Sequence, residues 1–542
     1  MKLNKLVLST VAAATMFATG ASAFDAEKIF VRDCQGCHGP KHQGGVGADI
    51  RPAALKKLNS QVLAEKILNG VSGTAMPAFK KGVSIGHEFT KAEADTMVDY
   101  LQHFKGLKSQ VLTLENVTKN WRTFNTVAKL KKKYPKAVDV DKVTDICFLT
   151  QRDASKVSFL DGTKGTVIST HPAGYAVHVT VTNKRQPRYA YSISRDGLVT
   201  MYDLASKGQQ KIAECRIGTS SRGLAVSPDG KYLMAGNYEP GGAVLFDAMT
   251  LKPLKVYPTS SVIDMDGNIG PSRVAGIYDT PYGPYIAFAL KDAGHVYIVD
   301  YSKEGFPIVG DIPNIGKILH DGFENEGKEI GRYLMQASQG SDVMGVIDFK
   351  TKSLVAKVYT GPGTKPHPGQ GSSWYNEEYG ELFATQSMNV GNTVIWDSNW
   401  DVVKNVPTAG GGLFVGTSEH TPWIWSDCVL GGATNWNTMY LINKQTLVTD
   451  RIISVGKDEG KLIDAKTHKT ISSWKVPHND VLPRILHAEP ANHGQWTMIS
   501  EWNAGRIGIY EAKTGKFVKY ITGLTTPTFT YSIEHRQTIP GA

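Results

Sequence analysis

Val157-Ser158-Phe159-Leu160-Asp161 is a short β-rich run closed by an acid, and seven later segments share its form. They are Val199-Thr200-Met201-Tyr202-Asp203, Ala243-Val244-Leu245-Phe246-Asp247, Val296-Tyr297-Ile298-Val299-Asp300, Met344-Gly345-Val346-Ile347-Asp348, Thr393-Val394-Ile395-Trp396-Asp397, Gly460-Lys461-Leu462-Ile463-Asp464 and Ile507-Gly508-Ile509-Tyr510-Glu511. Their closing acids lie 42, 44, 53, 48, 49, 67 and 47 residues apart, near the length of a four-stranded propeller blade. The residues after each acid, such as Ala248-Met249-Thr250-Leu251-Lys252, fit a turn into the next strand. Eight units predict an all-β eight-bladed propeller over 141–542. At about 400 residues it is large enough for a substantial core, and the mouth of its channel suits a large planar ligand. The interval of 67 holds a further segment, Met439-Tyr440-Leu441-Ile442-Asn443, which reads as part of an insertion or an irregular blade.

Upstream the period changes. Residues 24–108 read as a small all-α domain: Ala26 to Cys34, Asn59 to Leu68, and Thr90 to Phe104 with apolar residues at Ala92, Met97, Leu101 and Phe104. The first of these runs into Cys34-Gln35-Gly36-Cys37-His38. Two cysteines at this spacing can each form a thioether to one haem while the next histidine turns to its iron, so Cys34 and Cys37 read as covalent haem c attachment and His38 as an axial ligand. A redox dithiol or half a zinc site uses the same spacing, but neither a thioredoxin pattern nor a second cysteine pair accompanies it. Class I cytochromes c present the sixth ligand from a loop like Gly73-Thr74-Ala75-Met76-Pro77-Ala78-Phe79, which points to Met76; His87 or His103 could take its place, or Met76 could fill the core. So short a chain around a haem suits electron transfer rather than bond chemistry.

Residues 1–23 have the charge, apolar core and Ala21-Ser22-Ala23 ending of a secretory signal, which places haem attachment outside the cytoplasm, in the periplasm. No other run is apolar for about the 18 residues that a membrane span needs. Without Lys2 and Lys5 the formal charge falls from +10 to +8. No basic cluster with interleaved aromatics suggests nucleic acid, and the mild basicity suits acidic partners or a small anion. Cys147, Cys215 and Cys428 are odd in number and read as buried thiols. Residues 109–140, with Lys129-Leu130-Lys131-Lys132-Lys133, read as a solvated connector that could also dock a donor protein.

Three histidines in the propeller lie beside glycine, proline or strand ends, where a loop can aim them at the axis. They are His178 in Gly174-Tyr175-Ala176-Val177-His178, His320 in Leu319-His320-Asp321-Gly322, and His367 in Pro366-His367-Pro368-Gly369. On these motifs the chain resembles the cytochrome cd1 nitrite reductase family across essentially the whole mature sequence. The resemblance implies a haem c domain followed by a propeller holding a non-covalent haem d1, with His178 as the proximal d1 iron ligand and His320 and His367 on the distal side where substrate binds. It also implies that Arg152, Arg195, Arg222, Tyr238 and Arg273 belong to the d1 pocket, that the protein is a homodimer, and that a small periplasmic cytochrome c or cupredoxin supplies electrons.

The implied reaction is one-electron reduction of nitrite to nitric oxide, which consumes two protons and releases water. Two histidines able to be imidazolium near neutral pH could donate those protons and attract the anion. Arginine forks match the carboxylates of the d1 macrocycle. Some positions depart from the family pattern. Gln370 stands where arginine is expected, His487 where glutamine is familiar, Thr526-Pro527-Thr528-Phe529-Thr530-Tyr531 replaces the closing pattern, and the N-terminal arm that carries a tyrosine in some members is not expected here. Two other readings stay open: a dehydrogenase of dihydro-haem d1 in d1 biosynthesis, and a non-catalytic d1-binding electron carrier.

Overall fold

A computed structural model describes residues 24–39, 42, 47–56, 58–71, 76–82, 84, 87–104, 111–135 and 145–532. The signal at 1–23, Gly73-Thr74-Ala75 and the Gln370 side chain lie outside the described residues. The expected helices are present. Ser60–Asn69 is capped by the Asn59 side chain, and Lys91–Gln102 opens on a capping box in which Thr90 and Glu93 satisfy each other's backbone N–H groups. Their apolar faces close with Phe30, Leu55, Phe79 and Phe89 into one small core.

Beyond residue 145 eight blade sheets follow one another, with a two-stranded ribbon, Val262–Ile263 with Ile269–Gly270, between the third and fourth. The sequence repeat has a physical cause in the closing acid, which turns the chain into the next strand. Asp161 Oδ1 accepts the N–H of Thr163 and Lys164, and Asp203, Asp247, Asp300, Asp348 and Asp397 each accept the N–H two residues on. The innermost strands of the second to eighth blades are Val177–Thr182, Ser220–Val226, Val274–Thr280, Leu319–Glu324, Pro366–Asn376, Val415–Gly416 and Ile485–Ala491. The first blade takes its innermost strand, Pro527–Ser532, from the far end of the chain, where it pairs with Ile146–Gln151. That pairing closes the ring and removes the sheet edges that an open array would expose. Cys147, Cys215 and Cys428 are buried free thiols, as expected.

Two expectations are corrected. Of the two readings of Met439-Tyr440-Leu441-Ile442-Asn443 the irregular blade holds: Thr438–Asn443 is the third strand of the seventh blade, and Asn443 Oδ1 makes the turn by accepting from Gln445 and Thr446. Gly460-Lys461-Leu462-Ile463-Asp464 belongs instead to an added hairpin, Glu459–Asp464 with Thr470–Lys475, on the outer edge of that blade, so the sheet has six strands. Asp464 makes the same turn with Thr467, which gives the two segments one sequence signature. The bridge is not a solvated connector either. Trp121–Thr123 adds a fifth strand to the second blade, and Leu112, Val117 and Leu130 are buried against it, while the lysines of Val127–Lys133 face outward. Burying three aliphatic side chains at about 2 kcal/mol each outweighs the pull of the charged tips into water.

Among the described residues no helix is long and apolar enough to cross a membrane.

Candidate functional site

The innermost strands share a device that points side chains into the channel. Most lose register once against their neighbour, and a bulge turns the extra residue inward. Register is lost between Val177 and Val179, which frees His178; around Arg222 and Gly223; between Val274 and Ile277; between Leu319 and Gly322, which frees His320 and Asp321; and between His367 and Ser372. Positive φ at Ala176, Ile318 and Lys365 supports the bends just before His178, His320 and His367. The beads on this string wall one cavity of about 1130 Å³, and its other wall belongs to the helical domain. Cys34, Cys37, His38 and Met76 are on one side, and Arg152, His178, Arg195, Arg222, His320 and His367 are on the other.

In the helical domain, His38 Nδ1 lies 2.8 Å from the Ala48 carbonyl oxygen, which leaves Nε2 free to face the cavity. A Cβ at Gly47 would come within 2.8 Å of this ring, so the close approach requires glycine there. Gly70, at φ +71, makes the equivalent concession to the backbone of Met76 and Ala78. His103 is turned outward beside Asp99 with its side chain 73% exposed, and His87 Nε2 is 3.4 Å from Glu93; neither walls the cavity. The donor set therefore fits a haem: two thiols, one imidazole and one thioether around a single space.

His178 is fully enclosed, and burial, then Arg195, Arg222 and Arg152, pushes its pKa well below the usual range. A neutral imidazole ringed by guanidinium groups suits a metal ligand in a macrocycle that carries carboxylates. Arg195 is pushed down to about 10 by its burial and lies 5.5 Å from the Tyr238 ring.

Across the channel Asp321 organises the remaining groups. Its carboxylate pairs with Arg222, lies 3.3 Å from His320 Nδ1 and 3.2 Å from His367 Nε2, and the imidazole centroids are 4.7 Å apart. His367 Nδ1 is 2.7 Å from the Leu413 carbonyl oxygen, and Tyr278 Oη donates to the His320 carbonyl oxygen at 3.3 Å. Burial opposes ionisation of Asp321, but Arg222 and the two imidazoles hold its carboxyl well below the usual range. Burial also lowers both histidines, His320 well below its ordinary value with Arg222 adding to the effect, and Asp321 opposes the shift in both. Burial therefore works against the expected pair of imidazolium groups, and the Asp321 carboxylate works for it.

Two residues assigned to the pocket by resemblance lie outside its wall. The Arg273 guanidinium is held by Asp292 at 2.5 Å and donates to the Gln35 carbonyl oxygen, inside the haem-attachment pentad, at 2.6 Å. Tyr238 is buried with Arg195 and Arg273 each 5.5 Å from its ring. Both therefore serve the seam between domains, where Arg32 also stacks 3.3 Å over Tyr175 and Tyr175 Oη donates to Asp33 at 3.0 Å. Tyr175 is three residues before His178, so one short segment touches the helical domain and carries the inward histidine. His487 packs behind Phe414, ring to ring at 5.1 Å, and is not a wall residue.

Sequence reasoning passed over Asp321, Tyr278 and Glu324, all of which wall the cavity. Asp321 stood inside a motif already singled out. Glu324 is on the same strand as His320 but beyond the bulge at Leu319–Gly322, so alternation of faces along the sequence does not find it.

The sequence profile of the cytochrome D1 heme domain matches residues 141–536, and that of cytochrome c oxidase, cbb3-type, subunit III matches residues 21–101. A nitrite reductase of Stutzerimonas stutzeri is 26% identical over 98% of this chain and 96% of its own. A dihydro-heme d1 dehydrogenase of Pseudomonas aeruginosa is 28% identical over 94% of each. The solved structure of dihydro-heme d1 dehydrogenase NirN in complex with DHE superimposes with a TM-score of 0.67 at 26% identity, covering 94% of this chain and 99% of that one.

Proposed function

The chain belongs to the cytochrome D1 heme domain family, and on that premise we propose that this oxidoreductase, which uses haem c and haem d1, reduces nitrite to nitric oxide in the periplasm. Bound in the shared cavity, the two haems supply the path by which one electron reaches the substrate. Cys34 and Cys37 would attach haem c, and His38 and Met76 would ligate its iron. His178 would ligate the iron of haem d1. Arg152, Arg195 and Arg222 place positive charge where a carboxylate-bearing macrocycle and a small anion both gain from it. A small cytochrome c or cupredoxin delivers the electron, and the working unit is a homodimer.

The observation that carries the reading is the His320–Asp321–His367 triad, which faces the same cavity as His178. An incoming anion adds its negative charge to that of Asp321, so its arrival raises the proton affinity of both imidazoles. His320 can then release a proton to a nitrite oxygen, while His367, whose Nδ1 faces the Leu413 carbonyl and Nε2 Asp321, shares its proton with that carboxylate. Charging on binding protonates substrate without maintaining an imidazolium pair in a buried site.

A second reading is favoured by the same triad: two imidazoles on a carboxylate, their charged forms disfavoured by burial, can take protons from a substrate, which suits dehydrogenation of dihydro-haem d1, the activity named for one curated relative and for the superimposed structure. The test is nitric oxide formation from nitrite by the d1-loaded protein with a reduced small cytochrome, beside His320→Ala/His367→Ala. Turnover that collapses in the variant while d1 stays bound supports the reductase. No nitric oxide, with haem c reduced on adding dihydro-haem d1, moves the assignment to the dehydrogenase.

A further inference from the structure

The cavity does not stop at the triad. It continues along the propeller axis to Asp279 and Glu324, near the ends of their strands that point away from the helical domain. Glu324 closes the strand that carries His320 and lies about 10 Å further down the channel, because the bulge between Leu319 and Gly322 takes up part of the regular rise. Between them the walls carry Thr180 and Tyr278, and the phenol hydrogen-bonds the backbone at His320. At the lower end Lys184 and Asp279 are paired at 2.8 Å with side chains one-fifth exposed, so solvent reaches this mouth. Glu324 sits just inside it, and among the described residues its Oε1 is buried with no hydrogen-bonding partner. An oxygen so placed disfavours the ionised form, and Asp279 works in the same direction, against Lys184 and the residue's own backbone N–H.

We propose that Glu324 is the proton-loading group of an axial channel, and that protons move between solvent at the lower mouth and the His320–Asp321–His367 triad through it. The upper mouth is covered by the helical domain and is where the haems are held, so the lower mouth is the open side of the triad. In each cycle the Glu324 carboxyl breaks its O–H bond and gives the proton to water in the channel. An imidazole nitrogen of the triad gains a proton at the other end, and the carboxylate regains one from bulk water through the lower mouth. No electron moves in this step. The groups facing Glu324 set its proton affinity: burial, then Asp279, raises it, Lys184 opposes them, and Glu326 adds to the rise, giving a value of about 8. The carboxyl is therefore loaded at neutral pH, while burial lowers the proton affinity of both triad histidines. The inference rests on the d1-site reading only in that the chemistry moves protons, which reductase and dehydrogenase share.

The experiment is rapid reduction of the haem c- and d1-loaded protein without nitrite, with proton uptake followed by a pH-indicator dye and haem reduction by absorbance. Glu324→Gln is expected to slow proton uptake about tenfold or more while d1 binding and haem c reduction stay as in the wild type. Glu324→Asp should recover part of the rate. The infrared band of a protonated carboxyl at pH 7 should disappear in Glu324→Gln, and the wild-type uptake rate should fall above pH 8. Uptake at the wild-type rate in Glu324→Gln, or no infrared band attributable to Glu324, overturns the proposal. Failure to make nitric oxide with dye kinetics as expected would overturn the nitrite reading and leave the channel standing.

Discussion

Asp321→Asn is the sharpest single perturbation of the site. The side chain keeps its shape and loses its charge, so Arg222 is left buried without its partner and both imidazoles lose the group that sustains their proton affinity. Breaking a buried pair by removing one member costs about 3–5 kcal/mol, because the remaining charge is uncompensated. Spread over the unfolding entropy of about 390 propeller residues, that becomes a fall in melting temperature of about 4–6 °C. The same unpaired guanidinium faces the cavity, so an anion should be held more tightly while its protonation slows. Differential scanning calorimetry, nitrite titration of the d1-loaded protein and single-turnover kinetics read the three effects separately. An Asp321→Asn protein that melts within 1 °C of the wild type and binds nitrite no more tightly would refute the account of Asp321 as the counter-charge of the site.

Other perturbations probe neighbouring links. His178→Ala should lose d1 on gel filtration while keeping the haem c spectrum, because the two donor sets are on opposite walls. Arg273→Met should slow electron transfer from haem c to d1, measured by stopped flow, while leaving d1 bound: its contacts to Asp292 and the Gln35 carbonyl join the domains and do not line the pocket. His320 should stay neutral through pH 6.5 in an NMR titration of the d1-free protein, its proton affinity being depressed by burial and Arg222. The unfolded chain then binds the extra proton, so this residue makes the fold less stable as pH falls through 6.5, and His320→Gln should remove that part of the slope. Ending the chain at Leu524 should abolish cooperative melting, since the first blade would lose its innermost strand and the cavity its wall at Thr528.

The sequence by itself determined the two domains' character, the eightfold repeat, the pentad and the three inward histidines. These are local features: an acid at the end of a strand makes its turn with the next few residues, and a cysteine pair at fixed spacing needs no distant partner. For the same reason the sequence misplaced the seventh blade, because Asn443 and Asp464 make the same turn and only pairing across the sheet tells a third strand from an outer hairpin. Tertiary structure alone decided that the connector with buried Leu112, Val117 and Leu130 is part of the second blade and that Arg273 holds the pentad rather than the pocket. It decided, too, that the proton affinity of the distal histidines is lowered. Their charge is set by how much water the fold removes and by the distance to Arg222 and Asp321, quantities that arise only when strands far apart in the chain are closed into one ring.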